Sequence, residues 1–203
     1  MRAIPIALIK ENKKMRTWIT LILAVFLSLT AFAQQTNQPA KPGLELQKMA
    51  VWYGDWKYES ETNTTPLGPG AKATGKMTCR PVLNGFAAEC IYDEKGPAGD
   101  THSMELCWYD PATKKYAYVY LSNDGYMEQG PFMMNEKGDT WEANCVAGGK
   151  PFRMRGVETV LSGGMTITRK AEMSIDGKTW LPYFTSSLTK GKTNLNASTS
   201  GKK

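Results

Sequence analysis

Histidine is almost absent from this sequence, since His102 is the single histidine among 203 residues. A Ser–His–Asp or Cys–His catalytic group is therefore excluded unless another side chain supplies the base. His102 lies in a short polar segment, where an exposed side chain is the ordinary expectation. One histidine can serve as an axial haem ligand. Nothing else in the sequence supports haem, so we expect neither a cofactor nor a metal site.

Paired CxxC motifs are also missing. The four cysteines are Cys79, Cys90, Cys107 and Cys145. Structural zinc sites usually have cysteines or histidines at short, regular spacing, so a zinc site is not expected. In an exported chain an even number of cysteines favours disulfides, and four cysteines allow three different pairings.

Long hydrophobic runs are missing as well, apart from one near the N-terminus. Residues 18–33 are mostly apolar over 16 positions, fewer than the ~20 that a transmembrane helix needs. A basic segment, residues 13–16, precedes this run, and Ala31-Phe32-Ala33 forms a small-x-small cleavage site. These features predict a signal peptide over residues 1–33, with Met15 as the more usual start. We therefore expect a periplasmic or extracellular protein without a stable membrane anchor after cleavage.

The net charge of +6 comes from the two ends of the chain. Residues 1–33 carry +4 and residues 190–203 carry another +4, which leaves −2 for residues 34–189. Binding to nucleic acid depends on clustered lysine and arginine side chains. A slightly acidic central region excludes that class of partner, so we expect no nucleic-acid binding.

The sequence after the signal peptide divides into three segments. Residues 34–43 are polar and contain proline, which predicts a flexible leader, and residues 190–203 predict a disordered basic tail. Between them, residues 44–189 form one domain. Its first part, 44–51, has partial helical spacing and predicts a short helix.

From Gly54 onward, turn residues recur at intervals of about 8 to 14 positions between runs rich in Tyr, Trp, Thr and Val. No alternation of strands with helices is visible. This pattern predicts an all-β fold, an up-and-down antiparallel barrel of about ten strands that follows the short helix.

One hairpin can be described in detail. Asn84-Gly85 is the preferred pair for a two-residue type I′ turn. In that register Arg80 faces Glu89 and Cys79 faces Cys90, so the sequence favours a Cys79–Cys90 disulfide. Pro81 opposes this register, because it would occupy a position that donates a ladder hydrogen bond. Cys107 and Cys145 either form a second disulfide or remain buried thiols.

The segment Tyr116–Leu121 alternates tyrosine with smaller apolar residues, so its tyrosines share one face of a strand. Two arrangements are open. The tyrosines form an outer surface while Ala117, Val119 and Leu121 fill the core, which we prefer on general grounds. Alternatively, Tyr118 and Tyr120 line a cavity and offer their hydroxyl groups to a ligand.

Several short motifs carry a resemblance to a known family. They are Leu46, Gly54-Asp55-Trp56, Pro81-Val82-Leu83-Asn84-Gly85, Trp108-Tyr109-Asp110-Pro111, Lys115-Tyr116, Glu128, Gly130, Arg155 and Asp176-Gly177-Lys178-Thr179-Trp180. In order and spacing, over residues 44–189, they resemble the exported bacterial family known as domain of unknown function 1579. The Gly-x-Trp that opens the first strand is similar to that of the calycin superfamily of lipocalin-like barrels.

This resemblance implies a barrel fold and export, and it implies no activity. In calycins the tryptophan closes one end of a barrel that holds a small apolar molecule. The Thr-Asp-Tyr motif of true lipocalins is absent, which argues against transport of the retinoid or odorant type.

The functional hypothesis is non-catalytic binding of a small, largely apolar molecule in the barrel mouth. Such sites combine aromatic walls with a few polar anchors. The candidate lining residues are Trp56, Tyr58, Trp108, Tyr118, Tyr120 and Arg155. An inward Arg155 would hold a ligand carboxylate through two parallel hydrogen bonds. The alternative, slightly preferred, is that Arg155 lies on the outer face and pairs with Glu158 or Glu142.

Two other classes of function stay open. The first is a structural or interaction module that has a filled barrel and binds a protein or glycan on its outside. The second is an enzyme that uses a tyrosine or carboxylate inside the barrel, which a desolvated Glu or Arg beside a tyrosine hydroxyl would favour. The carboxylates Glu89, Glu105, Asp110, Glu128 and Glu142 are interpreted as belonging to solvated strand faces.

Overall fold

The computed structural model describes residues 41–191. The predicted signal peptide, most of the predicted leader and all of the predicted tail beyond Gly191 lie outside the described residues. Within residues 41–191, no helix is both long enough and apolar enough to cross a membrane.

Ten antiparallel strands form a closed barrel in which each strand pairs with its neighbour in sequence and β1 pairs with β10. The strands are β1 Gly54–Thr62, β2 Ala71–Val82, β3 Ala87–Gly96, β4 Gly99–Asp110, β5 Lys115–Ser122, β6 Met127–Asn135, β7 Gly138–Ala147, β8 Lys150–Leu161, β9 Thr166–Ser174 and β10 Leu181–Lys190. Closure leaves no unpaired sheet edge. The predicted all-β, up-and-down antiparallel barrel of about ten strands is confirmed.

The helix α1, Leu44–Lys48, continues into a 3₁₀ turn, Met49–Trp52, which leads directly into β1. Leu46, Met49 and Trp52 are buried in the barrel core. The Tyr116 hydroxyl donates a hydrogen bond to the carboxylate of Glu45 at 2.7 Å and so ties α1 to the start of β5. We call this end of the barrel the helix end and the opposite end the loop end.

The β2–β3 hairpin has the predicted register but a different turn. Cys79 faces Cys90, and Pro81 stays in the ladder opposite Ala88. Pairing ends at Val82, and Leu83, Asn84 and Gly85 all have positive φ angles of 52°, 56° and 87°. The loop therefore has four residues and is not the predicted two-residue type I′ turn. The register is the predicted one because the longer loop adds one residue on each side of Asn84-Gly85.

Cys79 and Cys90 form a disulfide across β2 and β3, as the hairpin register predicts. Cys107 and Cys145 are buried thiols. They lie on β4 and β7, which the two intervening strands β5 and β6 separate along the wall. The possible Cys107–Cys145 disulfide is thus absent from the structure, and the thiol alternative is the correct one.

The tyrosines of β5 face the barrel interior, which corrects the preferred sequence interpretation. Tyr116 and Tyr118 are each only 6% exposed, whereas Leu121 is 43% exposed on the outer face. The alternation along β5 was predicted correctly, but its inner and outer faces were exchanged. The reason is that this interior is not a purely apolar core, because tyrosine hydroxyls find carboxylate partners there.

Candidate functional site

A cavity of about 470 Å³ occupies the interior of the barrel. It extends from Trp52 at the helix end to residues of the loop end such as Leu67, Asp124 and Gly148. The helix end is closed below it by Trp56, which is 2% exposed and donates its Nε1 hydrogen to the Trp52 carbonyl at 2.7 Å. The barrel is therefore sealed at one end and hollow above that seal.

Aromatic rings form a continuous part of the cavity wall. Tyr58, Tyr92, Tyr120 and Tyr126 make successive edge-to-face contacts with ring centroids 6.0, 5.6 and 5.8 Å apart. Phe152, which is buried and does not line the cavity, packs against Tyr126 with ring centroids 6.3 Å apart. Edge-to-face contacts of this kind hold each ring in place without filling the space in front of it.

Carboxylates outnumber cations on the cavity wall. The acidic lining residues are Glu94, Glu105, Asp124, Glu128, Asp139 and Glu158. Arg169 is the one basic lining residue within the described part of the chain. The assignment of Glu105 and Glu128 to solvated strand faces was therefore wrong, because both side chains point into the barrel.

Arg169 lies at the centre of a buried polar network. Its Nε donates to Glu158 Oε2 at 2.7 Å, and its Nη1 donates to the Tyr92 hydroxyl at 3.1 Å. The Tyr92 hydroxyl in turn donates to Glu105 Oε2 at 2.6 Å. The Trp52 indole donates to the other Glu158 oxygen at 2.6 Å. Every charged group in this network thus has a partner, as burial requires.

Glu128 forms a second cluster with two tyrosines. The Tyr118 and Tyr126 hydroxyls each donate a hydrogen bond to one of its carboxylate oxygens, the latter at 2.8 Å. Burial raises the pKa of Glu128 to about 7, although both hydrogen bonds act in the opposite direction. A carboxyl group in this state gains or loses its proton near neutral pH.

Asp139 is the cross-strand neighbour of Glu158 on β7. Burial, and after it the charge of Glu158, raise the pKa of Asp139 well above its usual value. Asp139 is 6% exposed, so its charged form is disfavoured in this part of the barrel.

The structure brings three of the six sequence-predicted lining residues together. Tyr58, Tyr118 and Tyr120 line the cavity. Trp56 lies inside the barrel beneath the cavity and contributes to the seal instead of the lining.

Trp108 and Arg155 were wrongly placed among the lining residues. Trp108 alternates with the inward-facing Cys107 on β4 and points outward. Arg155 is also on the outer face, where it pairs with Glu172 at 2.7 Å and stacks on the Trp180 ring at 4.2 Å. The outer-face alternative for Arg155 is confirmed, but its partner is Glu172 and not Glu158 or Glu142.

Neither Arg169 nor Glu158 is among the lining residues predicted from the sequence, although the sequence contains a signal for both. Arg169 alternates in phase with Ile167, Ala171 and Met173, which are all buried. Glu158 follows Phe152 and Met154 in the same way on β8. A charged residue in phase with apolar ones on a strand indicates a buried charge with a partner.

The described residues offer no evident metal centre. Among residues 41–191, no three His, Cys, Asp or Glu side chains come close enough to hold a metal ion. His102 lies outside the barrel wall, with Nδ1 2.7 Å from Asp93. It therefore does not face the cavity.

Solved structures of other proteins share this barrel, and two of them are compared below. One is Rv2717c from M. tuberculosis, with a TM-score of 0.54, 10% identity, and coverage of 74% of this chain and 99% of the other. The second is the S-type phycobiliprotein lyase CPES from Guillardia theta, with a TM-score of 0.50, 10% identity, and coverage of 72% and 92%. At such low identity these similarities show the lipocalin-like fold and nothing about activity.

Among curated protein sequences, none is similar to this chain. The sequence profile of one family, described as "Protein of unknown function (DUF1579)", matches residues 41–178. That match spans α1, the seal beneath the cavity and nine of the ten strands. The chain therefore belongs to the DUF1579 family of proteins of unknown function.

Proposed function

We propose that this protein binds a small molecule with a largely apolar body inside the barrel, without chemical conversion. The observation that carries the proposal is the cavity of about 470 Å³ behind the Tyr58–Tyr126 aromatic wall. Its size is within the range of roughly 300 to 1,000 Å³ that is typical of small-molecule sites. A filled barrel that acts only through its outer surface would not need this space.

The composition of the wall supports an apolar body with a few polar groups. Aromatic rings supply the apolar contact area. The Arg169 cluster supplies fixed polar groups toward the helix end, and the Glu128 cluster supplies them toward the loop end. Because the polar groups bind one another, the cavity is preorganised and its wall needs little rearrangement on binding.

Uptake of the neutral fluorescent probe N-phenyl-1-naphthylamine tests this proposal. We expect a saturable rise in probe fluorescence with wild-type protein. Ala147 lines the cavity near the loop end, so Ala147→Trp should fill part of the space and weaken probe binding at least about tenfold. The matched control is Ala112→Trp, which places the same side chain on an exposed turn at the helix end.

The control variant should bind the probe as the wild type does. Absence of saturable binding to the wild-type protein would contradict the proposal. Equal affinities of the Ala147→Trp variant and the wild type would contradict it as well, because the probe would then be bound elsewhere.

We further propose that the barrel is exported. The N-terminal signal features and the Cys79–Cys90 disulfide support this, since structural disulfides persist in oxidising compartments. Mass spectrometry of protein from a native host should find a chain that begins at Gln34. Iodoacetamide should modify Cys107 and Cys145 only after unfolding, whereas Cys79 and Cys90 should need reductant. An intact N-terminus on reduced cytosolic protein would contradict export.

Acid–base chemistry on a bound molecule is the second candidate function. One observation favours it, namely Glu128 with a pKa of about 7 beside the Tyr118 hydroxyl. A general base with this pKa is suited to neutral pH. Conversion of a bound molecule that stops in the Glu128→Gln variant would favour this candidate over simple binding.

A further inference from the structure

We propose that the ligand carries a protonated amine, and that this ammonium group binds beside Glu94 in the half of the cavity nearest the loop end. This inference rests on the proposed binding function and names the chemical class of the ligand. It follows from the charge balance of the cavity, the unpaired polar groups around Glu94, and the aromatic rings next to it.

The charge balance excludes most anionic ligands. Arg169, the one basic lining residue of the described chain, is already bonded to Glu158 and to the Tyr92 hydroxyl. A ligand carboxylate would therefore enter a cavity with several carboxylates and no available cation. Burying an unpaired charge among like charges is strongly unfavourable, whereas a cation would meet the opposite situation.

Glu94 is the acidic lining residue best placed to receive that cation. It is on the inward face of β3 and partly buried, and it makes no hydrogen bond with any other described residue. By contrast, Glu105 and Glu128 are both occupied by tyrosine hydroxyls. Burial raises the pKa of Glu94, so its ionised form lacks stabilisation that a bound cation would supply.

Two serine hydroxyls near Glu94 also lack partners. Ser103 and Ser122 face each other across β4 and β5, and Thr101, two residues from Ser103, is the cross-strand neighbour of Glu94. Ser103 is 1% exposed, and neither hydroxyl oxygen has a hydrogen-bond partner within residues 41–191. Ser103 shares the inward face of β4 with two cavity-lining residues, Thr101 and Glu105. Buried hydroxyls without partners are rare, and an ammonium group has three hydrogens to donate.

Tyrosine rings complete the surroundings of this subsite. Tyr58 and Tyr120 line the same part of the cavity, and each makes an edge contact with Tyr92. The face of a tyrosine ring attracts an ammonium group. The apolar body of the ligand would then extend along Tyr126 and Tyr183, which line the cavity.

Three probes with a common apolar body test the inference, namely 1-naphthylmethylamine, 1-naphthylmethanol and 1-naphthylacetate. Calorimetric titration at pH 8 should show that the amine binds at least about tenfold more tightly than the alcohol, and the carboxylate most weakly. Glu94→Gln should remove about tenfold of the amine affinity and leave the affinity for the alcohol nearly unchanged. Glu59→Gln is the matched control, because Glu59 is exposed on the outer face of β1, and it should change neither affinity.

The outcomes separate this inference from the binding function. If the alcohol binds as tightly as the amine, or if the carboxylate is preferred, the amine inference is wrong while the binding function stands. If the preference for the amine survives in the Glu94→Gln variant, the assignment to Glu94 is wrong. If none of the three probes binds and N-phenyl-1-naphthylamine is not taken up, both the inference and the proposed function fail.

Discussion

Replacement of Arg169 by methionine is expected to lower the free energy of unfolding by about 3 to 5 kcal/mol. The side chain of Glu158 is only 2% exposed, and Arg169 is the cation bonded to it. Without Arg169, the Glu158 carboxylate would remain in the barrel beside Asp139 with no cation bonded to it, although the Trp52 indole would still donate its hydrogen bond. Urea denaturation followed by tryptophan fluorescence measures this loss.

Arg155 provides the matched control for this experiment. It also pairs with a glutamate, but the Arg155 and Glu172 side chains are 46% and 45% exposed. Exposed ion pairs contribute between zero and about 1 kcal/mol, so Arg155→Met should have a small effect. If Arg169→Met and Arg155→Met lowered the free energy of unfolding equally, the buried network would be contradicted.

A double variant gives a second check on the same pair. Because most of the loss comes from the charge left on Glu158, Arg169→Met combined with Glu158→Gln should be less destabilised than Arg169→Met alone. Further destabilisation by Glu158→Gln would contradict this explanation, because it would show that Glu158 makes stabilising contacts with groups other than Arg169.

Removal of the carboxyl group of Glu128 is expected to change how stability depends on pH. The pKa of Glu128 is raised to about 7 in the folded protein from an ordinary value of 4.5. Its contribution to stability is therefore fully present below pH 4.5 and is lost as the pH rises to 7, because the unfolded chain releases this proton more easily. A shift of this size corresponds to about 3 kcal/mol.

The Glu128→Gln variant should lack that loss. Relative to wild type, its free energy of unfolding should rise by about 3 kcal/mol between pH 4.5 and pH 8. Glu136→Gln, at an exposed turn position, should follow the wild-type curve throughout. Parallel curves for wild type and Glu128→Gln would mean that Glu128 titrates normally and is not desolvated.

Most of the fold could be predicted from the sequence because strands and turns leave local signals. Regular turn residues gave the number of strands, and the charge and cysteine pairs of the Asn84-Gly85 hairpin gave its register. The turn itself was predicted wrongly. Leu83 has a positive φ of 52°, a conformation that leucine rarely adopts, so residue preference alone does not predict it.

The cavity was harder to predict because alternation identifies two faces of a strand without saying which one is inside. The tyrosines of β5 were preferred outside on the general rule that apolar residues fill cores. In this barrel, tyrosines and carboxylates satisfy each other inside, as Tyr118 and Glu128 show. Such residues come together only when the strands pair around the closed barrel. The sequence of a single strand does not show which residues of other strands will lie beside it.

The most direct test of the account is a crystal structure of the protein with 1-naphthylmethylamine. The account predicts the naphthalene rings inside the barrel against Tyr58 and Tyr120, with the amine nitrogen within hydrogen-bond distance of the Glu94 carboxylate. A probe bound only on the outer surface, or bound inside with its amine directed away from Glu94, would contradict it.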